Sequence, residues 1–92
     1  MSTTIRIPTV LRKFTGGSAT VEVSAGSVID AITQLTSDHP ALKSHLFAAD
    51  GSLRSFVNLY VDDEDVRHRD GTATGLKGGE VLSIVPAVAG GV

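Results

Sequence analysis

Cysteine and tryptophan are both missing from this 92-residue chain, aromatic residues make up 4% of it, and three prolines interrupt it. Without cysteine there is no disulfide staple, no thiolate zinc site and no cysteine nucleophile. Charge of one sign is lacking too: eight Lys and Arg stand against ten Asp and Glu, a net charge of −2. The basic stripe of a nucleic-acid binder is therefore not expected. No apolar run has the length of a bilayer-spanning helix. Met1-Ser2-Thr3-Thr4-Ile5-Arg6 has neither the charged start nor the apolar stretch of a secretory signal. The expectation is a cytoplasmic protein with no membrane and no nucleic-acid partner. What is present is an ordinary apolar share, 41%, in a length that suits one domain.

Period-two patterning places the first strands. Ile5 and Ile7 alternate with polar neighbours, as do Ala19, Val21 and Val23, so each segment has one face to bury. Between them, Gly16-Gly17 can supply positive φ for a turn, and the two strands form a hairpin with a long loop. A helix follows. Ser27 is its N-cap and Asp30 sits three residues on, close to a capping box. Val28, Ala31, Ile32 and Leu35 make one apolar face, and Pro40 sets a stop near Asp38. Leu42 and Leu46 suggest a short further turn of helix. Phe56 to Val61 is a strand bounded by Asp62-Asp63, Asp65 to Arg67 pairs back on it, and Val81 to Val85 is a last strand ended by Pro86. The fold class is α+β, with one main helix burying its stripe on a mixed sheet of 4–5 strands. Residues 1–86 form the domain, and 87–92 a flexible tail.

The interior offers little chemistry. Gly71 to Gly79 fails as a phosphate loop, because Leu76 and Gly78 flank Lys77 where Gly and Ser or Thr are needed. The acidic run Asp62 to Asp65 fails as a calcium loop: Arg67 holds the sixth position and no Glu the twelfth. It reads as a solvated turn, with a recognition patch for a basic partner as the alternative. His39, His45 and His68 lack metal-ligand spacing, and surface positions are expected for them. No serine stands in a Gly-x-Ser-x-Gly elbow. No metal site and no bound cofactor are expected.

The tail is different. Ala87-Val88-Ala89-Gly90-Gly91-Val92 is small, apolar and uncharged. It is either a frayed end or a probe. Two residues without Cβ can thread a narrow channel and leave a carbonyl open to attack. Six residues at ~3.3–3.6 Å each reach roughly 20 Å beyond the last strand.

The run Leu76 to Gly91, with a last strand, a proline and a small-residue tail closing on Gly-Gly, resembles the ThiS/MoaD family of ubiquitin-like sulfur carriers. The likeness covers essentially the whole chain. Ile7-Pro8-Thr9-Val10-Leu11-Arg12, Thr15-Gly16-Gly17, the Phe56 strand and Pro86 to Gly91 look most like the cysteine-synthesis carriers of actinobacteria. The resemblance implies a β-grasp fold and a protein co-substrate rather than an enzyme. It implies an E1-like adenylyltransferase/sulfurtransferase that uses Mg-ATP to adenylate the Gly91 carboxylate, after which sulfur replaces AMP to give a thiocarboxylate. Gly90 is then the threading neighbour. It further implies a pyridoxal-phosphate sulfhydrylase, to which the thioacid delivers sulfur, and a zinc-dependent JAMM-type peptidase that releases cysteine.

One departure matters. Val92 follows Gly91, and a β-branched terminus would block adenylation. Either Val92 is trimmed from a precursor, for which the JAMM-type peptidase is a candidate, or it is an addition to the natural end, or the protein is not a carrier. The alternatives are a molybdopterin synthase small subunit, a modifier forming isopeptide bonds, and a non-covalent β-grasp binding domain. For any partner, docking is expected on an apolar patch of the exposed sheet face, with contributions from Phe56 or Tyr60, whichever points outward, and from Pro86 and Val88.

Overall fold

A computed structural model describes residues 2–54 and 57–86. Five strands form one sheet in the order β2-β1-β5-β3-β4: β1 Thr3–Arg6, β2 Thr20–Val23, β3 Val57–Val61, β4 Glu64–Asp65 and β5 Val81–Pro86. β1 and β2 are antiparallel, with Ile5 opposite Val21. β5 lies parallel to β1, with Leu82 beside Ile5, and antiparallel to β3, with Ile84 beside Leu59. A parallel pair cannot be closed by a tight turn, so the chain must cross over the sheet, and the helical layer makes that crossing. A mixed sheet of this order curled around one main helix is the β-grasp arrangement.

The helix, α1 Val28–Asp38, starts where expected: the Ser27 side chain accepts the Asp30 backbone N–H at 3.3 Å. Val28, Ala31, Ile32 and Leu35 are fully buried against Ile5, Leu59 and Leu82. After Pro40 a 3-10 turn, Pro40–Leu42, leads into a four-residue helix, α2 Lys43–Leu46, which buries Leu42 and Leu46. The loop expected between β1 and β2 is in fact a 3-10 helix, Thr9–Thr15. Leu11 and Phe14, three apart, share one side of it, the spacing that a 3-10 helix brings into line. Gly16 and Gly17 then turn the chain at φ 67° and 89°.

The Asp62-Asp63 turn has both residues at positive φ, 49° and 75°, as a tight two-residue hairpin requires. The strand that pairs back is Glu64–Asp65, earlier than the expected Asp65 to Arg67. Val66 instead begins a 3-10 turn because the Asp65 carboxylate accepts the Arg67 backbone N–H at 2.9 Å and caps it. The Gly71 to Gly79 stretch opens with a 3-10 turn, Gly71–Ala73, and continues as a loop stitched to the start of α1. Val28 N–H donates to the Thr74 carbonyl at 2.9 Å, and Leu76 N–H to the Gly26 carbonyl at 3.0 Å.

Thr3 is 1% exposed, and its hydroxyl has no hydrogen-bond partner among the described residues. Burying such a group unpaired costs about 1–3 kcal/mol. Thr3→Val keeps the shape and the strand preference, so it is expected to stabilise the fold by about 1 kcal/mol. Urea denaturation measures it, and a lowered midpoint would show that the hydroxyl has a partner.

Candidate functional site

The tail departs from β5, so the geometry at the end of that strand determines where the tail is presented. β5 is hydrogen-bonded on both sides, and Leu82 and Ile84 point into the core at 0% and 4% exposure. Its beginning is pinned as firmly. Asp62 donates its backbone N–H to the Val81 carbonyl at 3.0 Å, and its carboxylate accepts the Val81 N–H at 2.9 Å. The Glu80 carboxylate accepts the Lys77 and Gly78 N–H groups at 2.8 and 2.7 Å, and these bonds, that from Lys77 foremost, hold it below the usual carboxylate range. At the other end Pro86 is the last strand residue, opposite Val57; it offers no N–H for a further rung.

The sheet face turned away from α1 runs along this strand. Thr20, Arg6, Ser83 and Tyr60 line up across four strands in register. Tyr60 is half-buried and stands with Arg6, Arg12, Asp63, Ser83 and Val85 around a shallow depression of about 480 Å3. Arg12 is fixed there by its Nε–H, which donates to the Ile7 carbonyl at 3.0 Å. The face is mixed rather than the apolar patch expected. Val85, 44% exposed, is its large aliphatic contribution. The other large apolar side chain exposed among the described residues is Val10, at 63%, on the 3-10 helix that follows β1. β1 runs parallel to β5, so both lie towards the tail-bearing end of the sheet.

Of the sequence-predicted site residues, the structure places Tyr60 on the open face and Pro86 at the strand terminus. Phe56, Val88, Gly90, Gly91 and Val92 lie outside the described residues. Three of the four acids in the run have partners within the chain, and Asp63 lines the depression. Besides Asp62, Asp65 is held by a bidentate Arg67 guanidinium, with Nη2 2.7 Å from Oδ2, and Glu64 lies 3.6 Å from Arg69. His45 and His68 are exposed and His39 half-buried. Among the described residues no group of three or more His, Asp or Glu could hold a metal ion, and no helix is long and apolar enough to cross a membrane. Sequence reasoning missed Val10, although a bare aliphatic residue in a supposed loop was the available signal.

The geometry defines a class: a β-grasp protein with no catalytic constellation among its described residues, whose central strand carries a Gly-Gly tail. The comparisons agree. A model described as the ThiS family matches residues 5–91. Sulfur carrier protein CysO of Mycobacterium tuberculosis is 41% identical over 93 residues, covering 99% of this chain and 100% of that one. The matching chain in the crystal structure of the Amycolatopsis orientalis BexX/CysO complex has a TM-score of 0.86 at 43% identity, covering 97% of this chain and 99% of its own. The small archaeal modifier protein 1 from Methanosarcina acetivorans has a TM-score of 0.89 at 28% identity, covering 98% of this chain and 96% of its own. The chain belongs to the ThiS family. It is a sulfur carrier, a small protein on which enzymes act, and not itself an enzyme.

The hairpin that carries Tyr60 has a pH signature. The Arg67 side chain first, then its backbone N–H, hold the Asp65 carboxyl down at about 2, below its unfolded value of about 3.9. A depressed carboxylate stabilises the fold fully above its unfolded pKa, and the contribution is lost as pH falls from about 4 through 2. Asp65→Asn is therefore expected to be less stable at pH 6 and to lose less stability between pH 4 and 2 than the wild type. Urea midpoints across that range test the difference in slope.

Proposed function

We propose that this carrier works through the carboxylate of Gly91, exposed by removal of Val92, and that it supplies sulfur for cysteine synthesis. The observation that carries the reading is the family match, which runs to residue 91 and stops short of Val92. A free carboxylate is ionised at neutral pH and unreactive. Its oxygen attacks the α-phosphate of Mg-ATP on an E1-like enzyme, pyrophosphate leaves, and the acyl-adenylate carbonyl becomes electrophilic. Hydrosulfide then attacks that carbonyl, AMP leaves, and loss of the sulfur's proton gives the thiocarboxylate. Gly90 and Gly91 suit this attack because neither presents a Cβ to the approaching group.

The later steps belong to partners. The A. orientalis relative forms a complex with a protein named BexX, which supports the reading that this chain works by docking onto enzymes of sulfur transfer. On our reading these include a pyridoxal-phosphate sulfhydrylase that accepts sulfur from the Gly91 thioacid. They also include a zinc-dependent JAMM-type peptidase, which frees the product and also serves to remove Val92. The carrier itself holds neither cofactor. Docking draws on the face around Tyr60, Arg6 and Val85, together with Phe56, Pro86 and Val88. Arg6 and Arg12 steer acidic partners towards it.

The test is intact-mass spectrometry of the carrier after co-expression with the activating enzyme of its own genome. The expected species lacks one valine and carries one sulfur in place of oxygen, and deletion of Gly90 and Gly91 abolishes it. A chain that keeps Val92 and acquires no sulfur under sulfur-replete conditions would overturn the reading.

A further inference from the structure

On the helix side of the sheet, again at the tail-bearing end, the 3-10 helix Thr9–Thr15 and α2 enclose a groove of about 500 Å3. Leu11 and Leu46, 8% and 1% exposed, form its floor. Phe14 and Val57, both half-buried, wall it, and exposed Val10 stands at its lip. The groove is separate from the depression around Tyr60: the two sets of lining residues share no member.

Its rim is cationic. Lys13 Nζ lies 5.2 Å from the centroid of the Phe14 ring, which keeps the ammonium beside the apolar wall. Arg54 is fixed across the groove, its Nε–H donating to the Ser44 carbonyl at 2.9 Å. The His45 ring sits 4.4 Å from that of Phe14. No carboxylate is among the lining residues. On a chain with net charge −2, this is a local reversal of sign. Val57 belongs both to this groove and to the last rung of the ladder, where it faces Pro86.

We infer that the groove is a second docking site, and that its occupant is a segment of the activating enzyme in which an aliphatic or aromatic side chain is flanked by carboxylates. The inference rests on the sulfur-carrier reading above. An apolar side chain entering the groove covers Val10 and Phe14, which water otherwise reaches, and the flanking carboxylates meet Lys13 and Arg54. Because the groove begins at Val57, an enzyme holding the root of the tail is already beside it. Contacts on both sides of the β5 terminus, at Tyr60 and at Val10, would clamp the direction in which the tail leaves. The groove then contributes to recognition and not to the chemistry at Gly91.

The test is ATP–pyrophosphate exchange by the purified activating enzyme, with the carrier supplied both as the full chain and as a chain ending at Gly91. Val10→Asp combined with Lys13→Glu alters two exposed residues outside the core. This double variant is expected to raise KM by about tenfold with kcat unchanged and to weaken the salt dependence of KM. Lys77→Glu is the control, the same Lys-to-Glu reversal as at Lys13 but near the start of β5, and is expected to stay within about twofold of wild type. Circular dichroism and urea midpoints establish that the variants fold. A KM for the double variant within about twofold of wild type would overturn the groove while leaving the carrier reading intact. Failure of both wild-type forms to support exchange would sink the carrier reading, and the groove with it.

Discussion

The parallel pairing of β1 with β5 is the constraint on which the rest of the molecule depends. It joins the first and last strands side by side, so everything between them must leave the sheet and return. A crossing of that kind needs a helical layer, and a helix laid on a sheet must bury a stripe against it. Val28, Ala31, Ile32 and Leu35 provide that stripe, meeting Ile5 and Leu82 from the paired strands. The same pairing places β5 in the interior of the sheet, where ladders on both sides hold it. An edge strand would leave the tail on the least constrained part of the fold. A central strand attaches it to the most constrained part.

Polar groups along the chain serve that strand more than any surface site. Asp62 takes positive φ, closes the hairpin and reaches Val81; Glu80 gathers two N–H groups in the turn before it. Asp65 shapes the turn after β4 with its own side chain. Acids that resemble a ligand cluster in one dimension are therefore distributed, in three, among separate backbone tasks. Asp62 and Asp65 each satisfy an N–H at a strand or helix start, which is why short acidic side chains occur there.

What was legible in the sequence follows from the range of the forces involved. The stripe of α1, its Ser27 cap and its stop near Asp38 are local patterns, and the structure matches them. β3 and β5 are legible as strands, but their facing is not: the structure turns Leu59 and Leu82 into the core and leaves Tyr60 and Ser83 half-buried. The strand opposite β3 was displaced in the sequence reading because β propensity cannot register that the Asp65 carboxylate would cap Arg67 N–H. The 3-10 helix after β1 was missed because seven residues with Leu11 and Phe14 three apart give only a weak periodic signal. That miss also hid Val10. The open face was expected to be apolar, but its composition depends on which residues of four strands come into one row, and register is a tertiary property. Of the proposed site, the Gly90-Gly91 pair is read from residue type and order alone and lies outside the described residues.

The absence of cysteine takes on a different meaning in this light. A carrier that held sulfur on a side chain would need a thiol kept reactive yet protected, and a pocket to tune its pKa. A carrier that holds sulfur on its own terminal carbonyl needs neither, because activation is performed on the partner enzyme. Its body is then free of catalytic demands and must satisfy only two: a rigid origin for the tail and a surface that partners can distinguish. The β1–β5 pairing meets the first. On the proposed reading the second falls to residues on either side of the β5 terminus, Tyr60, Arg6 and Val85 on one and Val10, Phe14 and Lys13 on the other. If successive enzymes all act at the Gly91 carbonyl, as proposed, what separates one from another is how each holds the body. Two unlike surfaces flanking one strand allow each enzyme its own combination of contacts without any change in the path to Gly91.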